Sequence, residues 1–172
     1  MKIEIRREQP GDYECVRNVN DEAFKQETEG KIVDRVRESD PDHLSLVAID
    51  DRQIIGHIFF SRVIIESKED IVNGMGLAPM AVLPSYQNQG IGSMLVKRGI
   101  KILKENAIPF IIVLGHEHYY PRFGFTIASC HGIRCQWERV PDKAFLIMIL
   151  DDRIMQNVKG IARYRKEFDE AI

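Results

Sequence analysis

Apolar positions change spacing several times along the chain, and each change marks an element. "KIEIR" near the start alternates apolar and polar, the period of a half-buried strand. "QPGD" interrupts it, with Asp12 placed as an N-cap for the next helix. Val16, Val19, Ala23 and Phe24 then recur at helical spacing and predict one inward stripe. Ile32, Val33 and Val36 predict a second short helix that ends near "SDPD". "LSLVAID" and "IIGHIFFSRVII", rich in β-branched residues and parted by "DRQ", predict a hairpin. "GMGLAPMAVL" reads as a third strand, but Pro79 cannot donate to a ladder, so the strand should bulge or splay there.

The clearest helix covers residues 91–105, with Ile91, Leu95, Ile102 and Leu103 inward and Lys97, Arg98, Lys101 and Lys104 outward. The basic run is read as a solvated helix face. "PFIIVLG" is short and continuously apolar, as in a buried central strand. "YYPRFGF" predicts a turn or short helix that re-enters a strand, and "AFLIMILDD" supplies the last strong strand. The order is β-α-α-β-β-β-α-β-α-β-β. One β-α-β crossover requires a parallel pair in the middle of otherwise antiparallel strands. The expected fold is α/β of the α+β type: a mixed, mostly antiparallel sheet, splayed at its centre, with helices on both faces.

Composition narrows the classes. A 172-residue chain with 44% hydrophobic residues can bury a full core, and no repeat or linker divides it, so a single domain over residues 1–172 is expected. Lys plus Arg number 24 against 26 Asp plus Glu, which argues against a dedicated nucleic-acid binder. Three cysteines, Cys15, Cys130 and Cys135, read as free thiols in a reducing compartment. Cys130, His131 and Cys135 lie close together, yet their spacing matches no zinc pattern and no second ligand pair accompanies them, so no metal is expected. The first residues are charged, and no apolar run approaches the roughly 20 residues of a membrane span. A soluble, cytoplasmic protein without a membrane partner is expected, as monomer or homodimer.

The candidate chemistry begins at "QNQGIGS", residues 87–93, between a strand-like and a helix-like run. The first N–H groups of a helix lack internal partners and carry partial positive charge, and glycines let an anion approach that backbone. A tight strand-to-helix turn without a ligand is the plainer reading of the loop alone. A Walker A loop would need Lys after its last glycine, where Ser93 stands. A dinucleotide fingerprint would need a third glycine at Leu95. Neither nucleotide reading survives.

Gln87-Asn88-Gln89-Gly90-Ile91-Gly92 resembles the Gln/Arg-x-x-Gly-x-Gly/Ala signature of the GNAT superfamily of acyl-CoA N-acyltransferases. "MAVLPSYQ" is similar to that family's fourth strand, and "YYPRFGF" resembles its later Tyr-x-x-x-Gly-Phe element. The element order resembles the family fold along nearly the whole chain. The resemblance implies that the N–H groups of Gln89, Gly90, Ile91, Gly92 and Ser93, with Asn88 at the edge, hold the pyrophosphate of coenzyme A. It implies that Met80, Ala81 and Val82 present backbone groups to the pantetheine arm. The Met80 N–H would polarise the thioester carbonyl, and a splay at Pro79 would leave such groups free.

Acetyl transfer from acetyl-CoA to an amine requires a deprotonated amine, whose pKa as an alkylammonium is about 10.4. It also requires donors for the developing oxyanion and a proton for the leaving thiolate. Tyr120 matches the family's tyrosine and is the candidate general acid, with Tyr119 its neighbour. A packing role beside "FGF" is its plainer reading. For the general base, His116, Glu117, Glu22, Glu27 or a water remain open. His57 is read as a satisfied core or groove histidine and Trp137 as a packing residue. The "NVKGIARYRKEFDEAI" tail is amphipathic enough to dock but carries no readable chemistry. The expected activity is direct acetyl transfer to a primary amine of a small molecule or peptide. An acyl-CoA-binding regulatory module with little turnover is the alternative.

Overall fold

The computed structural model describes residues 2–171. Among these described residues, nine strands form one sheet: β1 (Glu4–Arg7), β2 (Leu44–Asp50), β3 (Gln53–Glu66), β4 (Ile71–Val82), β5 (Phe110–Leu114), β6 (Thr126–Ile127), β7 (Ile133–Cys135), β8 (Phe145–Ile149) and β9 (Gly160–Arg163). The main order is β1-β2-β3-β4-β5-β8-β6, while β9 pairs with the far end of β3 and with β7. The two-residue turn between β2 and β3 places Asp51 and Arg52 at φ 42° and 71°, the left-handed geometry that matches hairpin twist. Helix α1 (Tyr13–Phe24) and α2 (Thr28–Ser39) precede β2, and α3 (Ile91–Glu105) makes the crossover between β4 and β5, which run parallel. A one-turn α4 (Asp152–Met155) joins β8 to β9.

The helices cover both faces. Along β3, Gly56 faces Ile91 and Leu95 of α3, and Phe60 fills the space beside Gly99 of the same helix. His57 points the other way, to Asn20 of α1. Four phenylalanines, Phe59, Phe60, Phe110 and Phe125, are fully buried between these layers. In α3 the buried set is Ile91, Leu95, Val96, Gly99 and Leu103, with Ile102 only half-buried, because the contact face centres on Gly99. In α1 the buried set is Val16, Val19 and Asn20, while Phe24 is exposed at the helix end. Asp12 does not cap α1 with its side chain. Its carboxylate accepts the Gln9 N–H at 2.7 Å and pairs with Arg6 at 2.6 Å, closing the short 3₁₀ turn before the helix.

Two further differences concern the second half. The segment between β5 and β6 is a 3₁₀ turn, Tyr120–Phe123, rather than an α-helix, since Pro121 and Gly124 leave room for only one turn. The connector before β8 also contributes β6 and β7, and the tail contributes β9. These strands of two to four residues are too short for a periodicity to reveal. Among the described residues, no helix is long and apolar enough to cross a membrane.

Candidate active site

The sheet opens at its centre, and Pro79 lies at the opening. On one side β4 stays paired with β3, where Met80 faces Ile58 and Leu77 faces Phe60. Between these pairs, Ala78 and Pro79 oppose the single residue Phe59, forming a bulge. On the other side β4 and β5 pair only as far as Leu77 and Val113. Beyond that point β5 stays with β8, through Leu114 with Phe145 and the Gly115 N–H to Ala144 O at 2.9 Å. Residues 78–82 of β4 are therefore left with no strand on their β5 side.

The glycine loop closes one end of this opening. Asn88 and Gly90 take φ 59° and 84°, and the chain then enters α3 without a side-chain cap. The N–H groups of Asn88 through Ser93 make no backbone hydrogen bond among the described residues, and the next one, Met94, bonds Gly90 O at 3.0 Å. Side chains brace the loop from behind. Gln87 Nε2 donates to Val82 O at 2.9 Å, and Gln89 Nε2 donates to Ser85 O at 3.0 Å. At Gly92 a Cβ would lie 2.8 Å from the Tyr119 hydroxyl and 3.4 Å from Met80 Cε, so only glycine admits this packing without displacement.

Loop and open strand edge line one cleft of about 1050 Å³. Met80 and Val82 line it from β4, and Asn88, Gly90, Ile91, Gly92 and Ser93 line it from the loop, whereas Ala81 and Gln89 fall outside. Ala81 is buried and pairs with His57, so its side chain shares that residue's face. Tyr119 and Tyr120 diverge: their rings are 5.0 Å apart and nearly perpendicular, at 84°. Tyr119 reaches toward α3, and the Arg122 guanidinium stacks 4.4 Å above its ring. Tyr120 is buried in the cleft wall between Gly115 and Phe125, and burial, reinforced by Tyr119, raises its hydroxyl pKa well above the usual 10.

Of the candidate bases, only His116 lines the cleft. Glu22 lines a separate groove bounded by β1 and α1, Glu27 pairs with Lys31 at 2.7 Å, and Glu117 pairs with His118 at 3.1 Å. Glu29, unnoticed in the sequence, does line the cleft, as do Phe24, Ile32, Arg122, Trp137, Tyr164 and Phe168. These come from α1, α2, the turn after β5, the connector and the tail, so no local spacing joins them. Trp137 packs on Tyr164, centroids 5.0 Å apart, and also forms part of the wall. His57 is fully buried between Asn20 and Ser45. Asn20 Nδ2 donates to Val16 O at 2.9 Å and to His57 Nδ1 at 3.0 Å, which leaves Nε2–H to donate to Ser45 Oγ at 2.9 Å. Burial, and then the charge of Arg37, lower the His57 pKa to about 3, so the ring is neutral. His131 pairs with the Thr126 hydroxyl at 2.8 Å, and Cys130 is exposed.

The fold, the opened strand pair and the N–H row define an acyltransferase of the GNAT class. The family model for an acetyltransferase (GNAT) domain matches residues 4–128, and the chain belongs to the GNAT family of N-acetyltransferases. It is 33% identical over 170 residues, 98% of each chain, to the Escherichia coli K12 protein named N-acetyltransferase YhbS. A crystal structure of E. coli YhbS in complex with CoA superposes with a TM-score of 0.89 at 32% identity, covering 98% of this chain and 93% of that one. A GNAT acetyltransferase from Brucella melitensis in complex with acetyl-CoA superposes at 0.78 and 32% identity, covering 98% and 99%.

Proposed function

We propose that the chain acts as one N-acetyltransferase domain that moves an acetyl group from acetyl-CoA directly to a primary amine. The row of unpaired N–H groups from Asn88 to Ser93, opening onto the same cleft as the free edge of β4, carries this reading. Acetyl-CoA supplies the activated acyl group as co-substrate. The loop N–H groups and the α3 dipole suit its pyrophosphate, and Arg122 adds the nearby cation. Backbone groups of Met80 and Val82 suit the pantetheine amides, as a further strand would, whereas those of Ala81, two residues before the Leu83 N–H that bonds Ile55 O, turn toward β3. The Met80 N–H suits the developing negative charge on the carbonyl oxygen, a role worth about 3 to 4 kcal/mol per donor. Tyr120, which lines the cleft and is protonated at neutral pH as any tyrosine is, suits the return of a proton to the leaving sulfur. Neither Cys15, Cys130 nor Cys135 lines the cleft, which favours direct transfer over a cysteine-bound acyl group.

His116 and Glu29 are the groups placed to take the amine proton, directly or through water. Calorimetric titration with CoA, paired with thiol release from acetyl-CoA across primary amines, tests the proposal. Micromolar binding with amine-dependent release is expected. Absence of CoA binding would remove the reading, and binding without release on any amine would turn it into an acyl-CoA-binding module.

A further inference from the structure

We infer that the half of the cleft beneath α1 and α2 is an acceptor pocket for one ammonium carried on an aromatic or branched apolar body, an inference that rests on the acetyl-transfer reading above. The loop and α3 lie on one face of the sheet, and α1 and α2 on the other, so the opening between β4 and β5 joins two unlike chambers. The second chamber is walled by Phe24 and Ile32 from the two helices and by Trp137, Tyr164 and Phe168 from the C-terminal third. Phe24 is 38% exposed at the end of α1, where it forms part of the cleft wall. Trp137 meets Tyr164 at a tilt and Tyr164 meets Phe168 edge to face, with centroid spacings of 5.0 and 5.8 Å.

The chamber is preformed. Trp137 Nε1 donates to Asp169 Oδ1 at 3.1 Å, the Tyr164 N–H donates to Gln136 Oε1 at 2.7 Å, and Ser39 Oγ donates to Glu167 Oε1 at 2.9 Å, which fastens the tail to α2. Two polar groups stand in the apolar wall. The Tyr164 hydroxyl is buried and has no hydrogen-bond partner among the described residues. The Glu29 carboxylate is held by Gln26 Nε2 at 2.9 and 3.1 Å, while Lys31 is occupied by Glu27. One carboxylate can neutralise one ammonium. The other ionisable lining groups are His116, His118, Arg122 and the tyrosines, so a polyamine would bring charges that nothing there balances.

Trp137 is the one tryptophan of the chain, so its emission reports the chamber directly, with or without turnover. With CoA bound, 2-phenylethylamine and isopentylamine should change that emission saturably, and ethanolamine and spermidine should need about 100-fold higher concentrations. In the thiol-release assay, kcat/KM for 2-phenylethylamine should exceed that for ethanolamine and spermidine by about 100-fold. Phe24→Ala should raise its KM about tenfold with calorimetric CoA affinity unchanged. Glu29→Gln should raise KM for every amine accepted, about tenfold, with partial recovery in Glu29→Asp. Better turnover of spermidine or a lysine peptide would overturn the inference. So would normal CoA binding with neither emission change nor turnover for the apolar amines. Failure of CoA to bind would instead remove the acetyl-transfer reading on which it stands.

Discussion

Two adjacent tyrosines have separate places in the cleft. Tyr119 lies against the first turn of α3, and Tyr120 is sunk beside Gly115. Burial first, and Tyr119 second, hold the Tyr120 proton in place above the ordinary tyrosine range. A raised pKa keeps the acid form present as pH rises, so kcat should climb with amine deprotonation and show no Tyr120-dependent fall up to about pH 10. Tyr120→Phe should lower kcat by about 10²–10⁴-fold with calorimetric CoA affinity unchanged, whereas loss of affinity alone would assign the ring to packing. Gly92 makes an opposite demand, for absence of a side chain. Gly92→Val would press on the Tyr119 hydroxyl and on Met80, now 2.8 and 3.4 Å from a Cβ position. The variant should weaken CoA binding at least about tenfold while its circular dichroism stays that of the parent.

At the scale of elements, the cleft exists because β4 and β5 each keep one neighbour and lose the other. Pro79 removes a donor, the bulge opposite Phe59 turns the strand, and β5 leaves with β8. This much was legible in residues near one another: the β-branched hairpin runs, the stripe of α3, the glycine loop and the interior proline. The acceptor chamber was not legible, because Phe24, Glu29, Trp137, Tyr164 and Phe168 come from separate segments that only the folded sheet assembles. Phe24 has the spacing of a core residue, and Tyr164 lies in a tail whose strand of four residues has no readable period. Arg122 stands within "YYPRFGF" without a signal of its own, since a cation in a turn gains meaning only when Tyr119 carries it to the α3 end. Arg122→Ala should weaken CoA binding by about 10- to 100-fold and flatten its salt dependence. Arg122→Lys should recover part of the affinity, because an ammonium keeps the charge without the planar stack. An unchanged salt dependence in the alanine variant would remove Arg122 from the phosphate site.

For the molecule as a whole, formal charge nearly cancels, at -2, so gross repulsion is a weak lever on stability near neutral pH. A single buried group is a stronger one. His57 ties β3 to α1 and β2 through Asn20 and Ser45, and it is held neutral by burial and by Arg37. Its pKa is about 3 in the fold against an ordinary 6.5, so below pH 6.5 the unfolded chain takes up a proton that the folded chain refuses. The contribution of neutral His57 is complete above pH 6.5 and is lost progressively as pH falls toward 3. Between pH 7 and pH 5 this amounts to about 2 kcal/mol of unfolding free energy. Carboxylates also titrate on the acid side, so the measurement is a difference: urea unfolding of the wild type and of His57→Gln at both pH values. Glutamine has no charge to gain, and the wild type should therefore lose about 2 kcal/mol more than the variant between pH 7 and 5. Equal losses in the two proteins would mean that the ring is protonated or solvated in the fold, contrary to its hydrogen bonds.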